Sequence, residues 1–158
     1  MKYLLFILFF IYCISSPAQS INYKIEGEVV GLKDTSLILG CFYRDSGKPI
    51  DTAYSKNGKF IFKGEKRLKK GMYFILLPNY NLQLVINETD IKFKTSLNNP
   101  IKDMIFIKSY ENKPFYKYLN FLNEKQKLIT PLREKLKNSE SNQEIKKQIE
   151  DIDKEVIK

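Results

Sequence analysis

Apolar and polar residues alternate with a period of two over most of residues 23–108. Tyr23, Ile25 and Val29 are separated by other residue types, and a lysine separates Ile91 from Phe93. Such alternation is typical of strands that bury one face. Turn-forming residues divide the region at positions 31–35, 44–49, 57–58, 64–71, 78–81, 87–90 and 97–100. The pattern predicts a mainly β protein with C-terminal α structure: an antiparallel β-sandwich or flattened barrel of about eight short strands, followed by two helices.

Two segments depart from this alternation. Residues 36–43 and 72–77 are almost continuously apolar. Runs of this kind are expected in strands that are covered on both faces. We therefore predict that neither strand has an exposed apolar face.

Residues 50–64 predict a β-hairpin. At its centre stands Asn57-Gly58, a pair that tolerates the positive φ angles of a type I′ turn. Folding the chain at this turn would place Tyr54 opposite Ile61 in a two-stranded ladder.

The period changes to that of a helix after Ser109. Apolar residues then recur on one face, at Phe115, Tyr118, Leu119 and Leu122. Asn112 is predicted to cap this helix with its side chain, and Pro114 is tolerated in the first turn. Pro131 is predicted to break or kink the helix.

A second helix is predicted after the polar loop at residues 138–141. Its apolar residues form one narrow stripe, Ile145, Ile149, Ile152 and Val156. Because such a stripe needs cover, we expect the helix to fold back, to pair with another molecule, or to belong to a longer protein.

Residues 1–19 have the pattern of a secretory signal peptide. Lys2 is followed by an apolar run and then by small residues. The run is shorter than the roughly 20 apolar residues of a membrane span. Cys13 is the residue that a lipoprotein would use, but the bulky Tyr12 before it argues against lipidation. We expect export across the inner membrane, with the mature chain in the periplasm.

The remaining chain divides where the period changes. We predict an antiparallel β domain at residues 20–109. Residues 110–158 are predicted to be a helical linker or the start of a further, incomplete module. Export leads to an oxidising compartment. Cys13 lies within the signal-like segment, so only Cys41 remains in the mature chain and no internal disulfide is expected.

The charge balance is basic. The 158 residues carry 27 basic and 18 acidic side chains, a net charge of +9, and most of the excess precedes residue 110. Outside the cytoplasm this charge favours an anionic envelope surface over nucleic acid as a partner. A lysine-rich composition that serves solubility alone is the simpler interpretation.

The chain lacks the usual equipment of several enzyme classes. It contains no histidine, no Cys-x-x-Cys motif and no glycine-rich phosphate loop. We therefore do not expect an enzyme, and we assign no catalytic, cofactor-binding or metal-binding residue.

The residues nearest to catalytic chemistry have simpler interpretations. Cys41 lies in an apolar run and is predicted to be a small core residue, with a reactive thiol as the alternative. Asp45 and Asp51 flank a turn and are predicted to cap it, with a carboxylate pair as the alternative. Ser46 and Lys48 suggest a Ser–Lys nucleophile only weakly, because they are close neighbours in a turn.

One predicted turn is strongly cationic. It contains Lys66, Arg67, Lys69 and Lys70. Because strands flank it, this turn lacks the helix N-terminus that forms a phosphate-binding site. We interpret it as a solvated hairpin tip, with a docking patch for an anionic partner as the alternative.

The order of motifs resembles a known family. A first strand at residues 23–27 is followed by Ile-Asp-Thr-Ala at 50–53, Asn-Gly-Lys-Phe-Ile-Phe-Lys-Gly at 57–64 and Gly-Met-Tyr at 71–73, and residues 107–112 lead into helices. The pattern is similar to the β-rich domain of unknown function that precedes the thioredoxin-like module in secreted bacterial thiol–disulfide oxidoreductases of the alkyl hydroperoxide reductase and thiol-specific antioxidant type. This resemblance implies an envelope location and an accessory role. Because no Trp-Cys-x-x-Cys segment is present, it implies no redox residue in this chain.

The expected function is that of a non-catalytic periplasmic accessory domain, either the front part of a thioredoxin-like oxidoreductase or a free-standing remnant of one. Expected partners are another protein or a thioredoxin-like domain, and an anionic envelope surface, without nucleic acid or a stable membrane span after processing. The alternative is a self-contained envelope interaction protein that dimerises or binds a partner through its C-terminal helices. A third hypothesis, an enzyme using Asp45, Asp51 or Cys41, has no candidate substrate.

Overall fold

The computed structural model describes residues 21–43, 46–138 and 142–157. The signal-like segment with Cys13 lies outside the described residues, and so does Asp45. Within the described chain there are eight strands: β1 Tyr23–Val30, β2 Thr35–Tyr43, β3 Ser46–Ser55, β4 Lys59–Gly64, β5 Gly71–Leu77, β6 Tyr80–Ile86, β7 Asp90–Ser96 and β8 Ile105–Lys108. Two helices follow, α1 at Asn112–Asn138 and α2 at Gln143–Ile157. The predicted number and order of elements are confirmed.

The strands form two four-stranded sheets, which confirms a sandwich and not a closed barrel for the described strands. The first sheet has the order β4-β1-β7-β8 and the second has the order β3-β2-β5-β6. Neighbouring strands are antiparallel except β1 and β7, which run parallel with Ile25 beside Ile91. The prediction of a wholly antiparallel domain is wrong at this pair. Parallel neighbours need a long crossover, and here the five strands between β1 and β7 supply it.

The sharp turn between β3 and β4 joins the two sheets. Asn57 and Gly58 have φ angles of 51° and 76°, as expected for a type I′ turn. Beyond the turn, however, the strands separate. Tyr54 pairs with Ser36 on β2, and Ile61 pairs with Glu26 on β1. The predicted ladder between Tyr54 and Ile61 is therefore wrong, because each strand finds its partner in a different sheet.

Glycine is required at the second turn position. The backbone N–H of Val29 donates a hydrogen bond to the carbonyl of Gly58 at 2.8 Å. A Cβ atom on Gly58 would lie 2.4 Å from the carbonyl oxygen of Val29. The turn thus holds one side of the sandwich closed by bringing its backbone directly against β1.

The space between the sheets is filled by the inward-facing residues of the alternating strands. Phe60, Phe93, Phe106 and Tyr116 form a row of rings whose successive centroids lie 5.2–6.1 Å apart. The edge-to-face and tilted geometry of these pairs is favourable for aromatic quadrupoles. Full burial of each large apolar side chain contributes about 1.5–3 kcal/mol, so this row is a main stabilising element of the core.

The outer surface of the second sheet is apolar along β2 and β5, where no described residue covers it fully. Phe42, Met72 and Leu76 are 48%, 36% and 43% exposed, and the ring of Phe42 packs at 5.0 Å from that of Phe74. The prediction that residues 36–43 and 72–77 are covered on both faces is wrong, because the sandwich covers only their inner faces. We call Phe42, Met72, Phe74 and Leu76 the apolar outer face.

Helix α1 closes the other side of the sandwich, between β6 and β8. The side chain of Asn112 is completely buried and forms two hydrogen bonds of 2.8 Å with the backbone N–H and C=O of Val85. The hydroxyl of Tyr116 donates to the carbonyl of Gln83 at 3.0 Å. These contacts satisfy backbone groups on the edge strand β6, where they would otherwise lack a partner strand.

The N-terminus of α1 is capped by residues that precede or face it. The carboxylate of Glu88 accepts hydrogen bonds from the backbone N–H groups of Tyr110 and Glu111 at 2.6 and 2.9 Å. The hydroxyl of Ser109 accepts one from the N–H of Asn112 at 3.2 Å. The predicted capping role of the Asn112 side chain is therefore wrong, since that side chain binds the edge strand.

The two helices pack against each other beyond the sandwich. Helix α1 continues through Pro131 to Asn138, so the predicted break is wrong. Helix α2 folds back on α1, with ion pairs between Lys125 and Glu155 and, at 3.8 Å, between Arg133 and Asp153. The apolar stripe of α2 is half-buried. No residue of α2 within the described range is fully buried.

Candidate functional site

A groove of about 830 Å³ opens at one end of the sandwich. Its walls come from β2, β3 and the ends of β4 and β5, and the loop between β4 and β5 forms its rim. Tyr23, Cys41 and Tyr73 lie at its base. The groove therefore forms where both sheets end and where the loop does not close the gap between them.

The base of the groove is fixed by hydrogen bonds. The hydroxyl of Tyr23 on β1 donates to a carboxylate oxygen of Asp51 on β3 at 2.6 Å, and the other oxygen of Asp51 accepts from the N–H of Thr52 at 2.7 Å. The hydroxyl of Tyr73 donates to the carbonyl of Lys69 at 2.9 Å. Tyr23 and Asp51 thus connect the two sheets.

Burial raises the pKa of Tyr23, and the hydrogen bond to Asp51 and its negative charge raise that pKa further. The phenol therefore remains neutral at neutral pH and keeps its proton for the bond to Asp51. The pKa of Tyr73 is raised as well, mainly by burial. Neither group is prepared to act as a general base.

The rim of the groove is strongly cationic. Among the described residues, the acidic side chains of Asp51 and Glu65 also border the groove. Its basic side chains are Lys48, Lys63, Lys66, Arg67, Lys69 and Lys70. All six are exposed, and within the described ranges none forms an ion pair with a carboxylate. We call these six residues the basic rim.

Several cations on the outer surface of the first sheet are paired with carboxylates. On the outer surface of the first sheet, which holds a second depression of about 520 Å³, Lys92 lies 3.2 Å from Glu26 and Lys94 lies 2.8 Å from Glu28. Hydrogen bonds from Lys24 and Lys92 lower the pKa of Glu26. The basic rim differs from this surface because six cations border one groove and none of them has a carboxylate partner among the described residues.

Apolar side chains stand beside the cations. Phe42, Tyr43, Ile50 and Met72 border the groove and are exposed. Leu68, in the middle of the basic loop, is half-buried and packs against the core. The loop is therefore anchored by one apolar side chain, while its charged neighbours point to solvent. The prediction that these charges are solvated is confirmed, but the predicted hairpin is wrong, because β4 and β5 belong to different sheets and the loop crosses between them.

Those residues with a possible catalytic role that the structure describes have structural contacts. Asp51 lies within β3 and links the sheets, so its predicted role as a turn cap is wrong. The hydroxyl of Ser46 donates to the carbonyl of Tyr43 at 3.1 Å. Cys41 packs against the core and also borders the groove, so it is only partly the core residue that was predicted. Among the residues described, no group of three or more Cys, Asp or Glu side chains is suited to hold a metal ion.

Sequence reasoning found the cationic loop but missed the rest of the groove. The exposed apolar residues lie in the runs that were assigned to a covered interior. The signal that was available is the run itself, because a sandwich strand covered on one face leaves every second residue of such a run exposed. The link between Tyr23 and Asp51 carries no local signal.

These features define a two-sheet β-sandwich with a basic, partly apolar groove and a helical C-terminus. The chain matches the family described as "Domain of unknown function (DUF4369)" over residues 23–145, which is more than half of its length. It therefore belongs to this family. The match begins at β1 and ends in the first turn of α2, so it includes the helix that closes the sandwich. No curated protein and no solved structure gives a significant match.

The family assignment confirms the predicted domain of unknown function. The association with thioredoxin-like oxidoreductases stays a prediction. In the part of the chain that is described, neither helix is long and apolar enough to cross a membrane.

Proposed function

We propose that this protein is a non-catalytic, extracytoplasmic accessory domain that holds an anionic partner at the basic rim. The observation that carries the proposal is the concentration of six cations around one groove, none of which has a carboxylate partner in the described chain. A surface with one sign of charge attracts and orients partners of the opposite charge.

The geometry of the groove favours binding over reaction. The hydroxyl–carboxylate pair that the structure describes there, Tyr23 and Asp51, holds the sheets together. Both oxygens of that carboxylate are occupied. Apart from Glu65, the remaining charged groups of the groove among the described residues are cations, which attract an anion without supplying a base at neutral pH.

The location and the accessory role rest on the sequence. Residues 1–19 have the pattern of an export signal. The motif order resembles the domain that precedes thioredoxin-like modules, so we propose that the partner is either such a module or a component of the same compartment.

Two charge variants test the proposal. The rim variant replaces four cations of the basic loop with glutamine: Lys66→Gln, Arg67→Gln, Lys69→Gln and Lys70→Gln. The helix variant makes the same change in net charge at four exposed helix positions: Lys117→Gln, Lys137→Gln, Lys146→Gln and Lys147→Gln. The measurement is the salt concentration that elutes each mature protein from immobilised heparin, a sulfated polyanion.

We expect the rim variant to elute at clearly lower salt than the wild type, and the helix variant to elute close to it. The reason is that short-range attraction depends on where the charges lie, since exposed charges are screened beyond about 10 Å at ordinary ionic strength. Equal shifts for both variants would mean that retention follows net charge alone, and the proposal would then be wrong.

A second candidate function is association through the helices. The stripe of Ile145, Ile149, Ile152 and Val156 is only half-buried against α1. Sedimentation equilibrium of the mature protein tests this role. A concentration-dependent dimer that Ile149→Lys converts to monomer would support it, and a monomer at all concentrations would remove it.

A further inference from the structure

We propose that the anionic partner of the basic rim is the surface of a lipid bilayer. This inference rests on the proposed function of the groove and names the partner of that same site. Its starting point is that the cations and the exposed apolar side chains occupy one continuous surface. Phe42 and Met72 belong to the apolar outer face and also border the groove.

The apolar part of this surface is substantial. Phe42 is in ring contact with Phe74, and Leu76 continues the outward-facing row on β5. Exposed apolar patches that are rimmed by polar residues mark protein or membrane interaction sites. Tyr43, next to Phe42, adds an amphipathic ring of the kind that favours the headgroup level of a bilayer.

The type of charge favours a bilayer over a protein partner. Lysine is depleted in protein–protein interfaces, yet five of the six cations on the basic rim are lysines. Surfaces that bind in the plane of an anionic membrane combine Lys and Arg with Phe and Leu. Each Lys or Arg near such a surface contributes attraction that adds to that of its neighbours.

The arrangement of the charge favours a bilayer over a small soluble anion. The cations of the loop Lys66–Lys70 are all exposed, so none of them lies in a buried pocket. A site for a single phosphate needs donors that are fixed around it. Dispersed cations on flexible stems instead match the many headgroups of a membrane.

The absence of tryptophan gives a clean reporter of this contact. The natural chain contains no Trp, so Phe42→Trp introduces a single indole into the apolar outer face. Ile50→Trp places one at a second position beside the groove, and Tyr118→Trp places one on the exposed surface of α1 as a control. Each protein is mixed with vesicles of pure phosphatidylcholine or of phosphatidylcholine with phosphatidylglycerol.

With anionic vesicles we expect a blue shift of the emission for Phe42→Trp and Ile50→Trp and none for Tyr118→Trp. Adding the rim variant to Phe42→Trp should lower the vesicle partition coefficient at least about tenfold, since each removed cation weakens the attraction several-fold. Adding the helix variant should leave it nearly unchanged. Circular dichroism of each variant confirms that it is folded.

Several outcomes would overturn the inference. A shift that is equal with neutral and anionic vesicles would remove the electrostatic role of the rim. An equal shift for Tyr118→Trp would place the contact elsewhere. If heparin retention still depends on the rim while neither reporter responds to vesicles, the proposed function stands and the bilayer is the wrong partner; if heparin retention also fails, both are wrong.

Discussion

Replacing Asn112 with alanine is expected to destabilise the domain severely, although the residue takes no part in the groove. The buried amide holds α1 on the edge strand β6 through both backbone polar groups of Val85 and also donates to Ser109 at 2.9 Å. Asn112→Ala would leave the N–H and C=O of Val85 without these partners. A buried polar group that loses its partner costs about 1–3 kcal/mol, so two such groups imply a loss of about 2–6 kcal/mol.

That loss is a large part of the total stability of a small domain, which is about 5–15 kcal/mol. The assay is urea-induced unfolding followed by circular dichroism, with the free energy of unfolding extrapolated to water. Asn120→Ala is the matched control, because its amide makes only a long hydrogen bond of 3.4 Å to the carbonyl of Ile101. We expect the control to lose less than about 1 kcal/mol.

A carboxylate at the same position sharpens the test. Asn112→Asp keeps an acceptor for the N–H of Val85 but places a second oxygen against the carbonyl of Val85. Because a buried charge without a partner is more costly than a neutral group, we expect this variant to be at least as unstable as Asn112→Ala. A loss for Asn112→Ala no larger than that for Asn120→Ala would refute the role of the amide as the link between α1 and the sandwich.

Three further predictions follow from single contacts. Gly58→Ala should destabilise by more than about 1 kcal/mol in thermal or urea unfolding, since it combines a positive φ with a clash against the backbone of Val29. Ser55→Ala should be neutral or stabilising, because the hydroxyl is buried and has no partner among the described residues. At neutral pH, Tyr23→Phe should have a lower free energy of unfolding than the wild type. As the pH rises above about 10, the ordinary pKa of tyrosine, the wild type should lose stability and the variant should lose less. The sign follows because a pKa that is raised in the folded state gives stability below the unfolded pKa, and that stability is lost as pH rises.

The local signals in the sequence predicted local structure well. Asn57-Gly58 indicated the turn type, and the alternation of residues indicated eight strands. Neither signal predicts which strands belong to which sheet. The separation of β3 from β4 is decided by pairing with β2 and β1, which involves residues distant in the sequence. The turn was therefore predicted correctly while the ladder beyond it was not.

Helix α1 also shows that local sequence signals do not predict contacts with distant residues. An asparagine before an amphipathic segment is typical of an N-cap, but Asn112 instead binds Val85, which precedes it by 27 residues. The side-chain amide of Asn112 binds the edge strand because the N–H and C=O of Val85 have no partner strand on that side. Pro131 was predicted to break or kink α1; the break is wrong, because the helix continues beyond it. Beyond the proline, Arg133 forms an ion pair with Asp153, so this part of α1 is in contact with α2.

The groove was predicted from the sequence only in part. The cations of the loop Lys66–Lys70 were visible in the sequence, and a docking patch was one of the two interpretations offered. Their apolar neighbours were hidden, because a run such as residues 72–77 has the same composition whether one or both faces are covered. The number of layers in the fold decides the difference, and composition does not encode it.

The most direct test of the basic rim as a binding site is an amide-resolved NMR titration of the mature protein with a sulfated oligosaccharide. We expect chemical-shift changes at residues 63–72 and at the neighbouring ends of β2 and β3, with little change on the outer surface of the first sheet. Changes centred on the helices, or spread evenly over all exposed lysines, would contradict the assignment of the site to this groove.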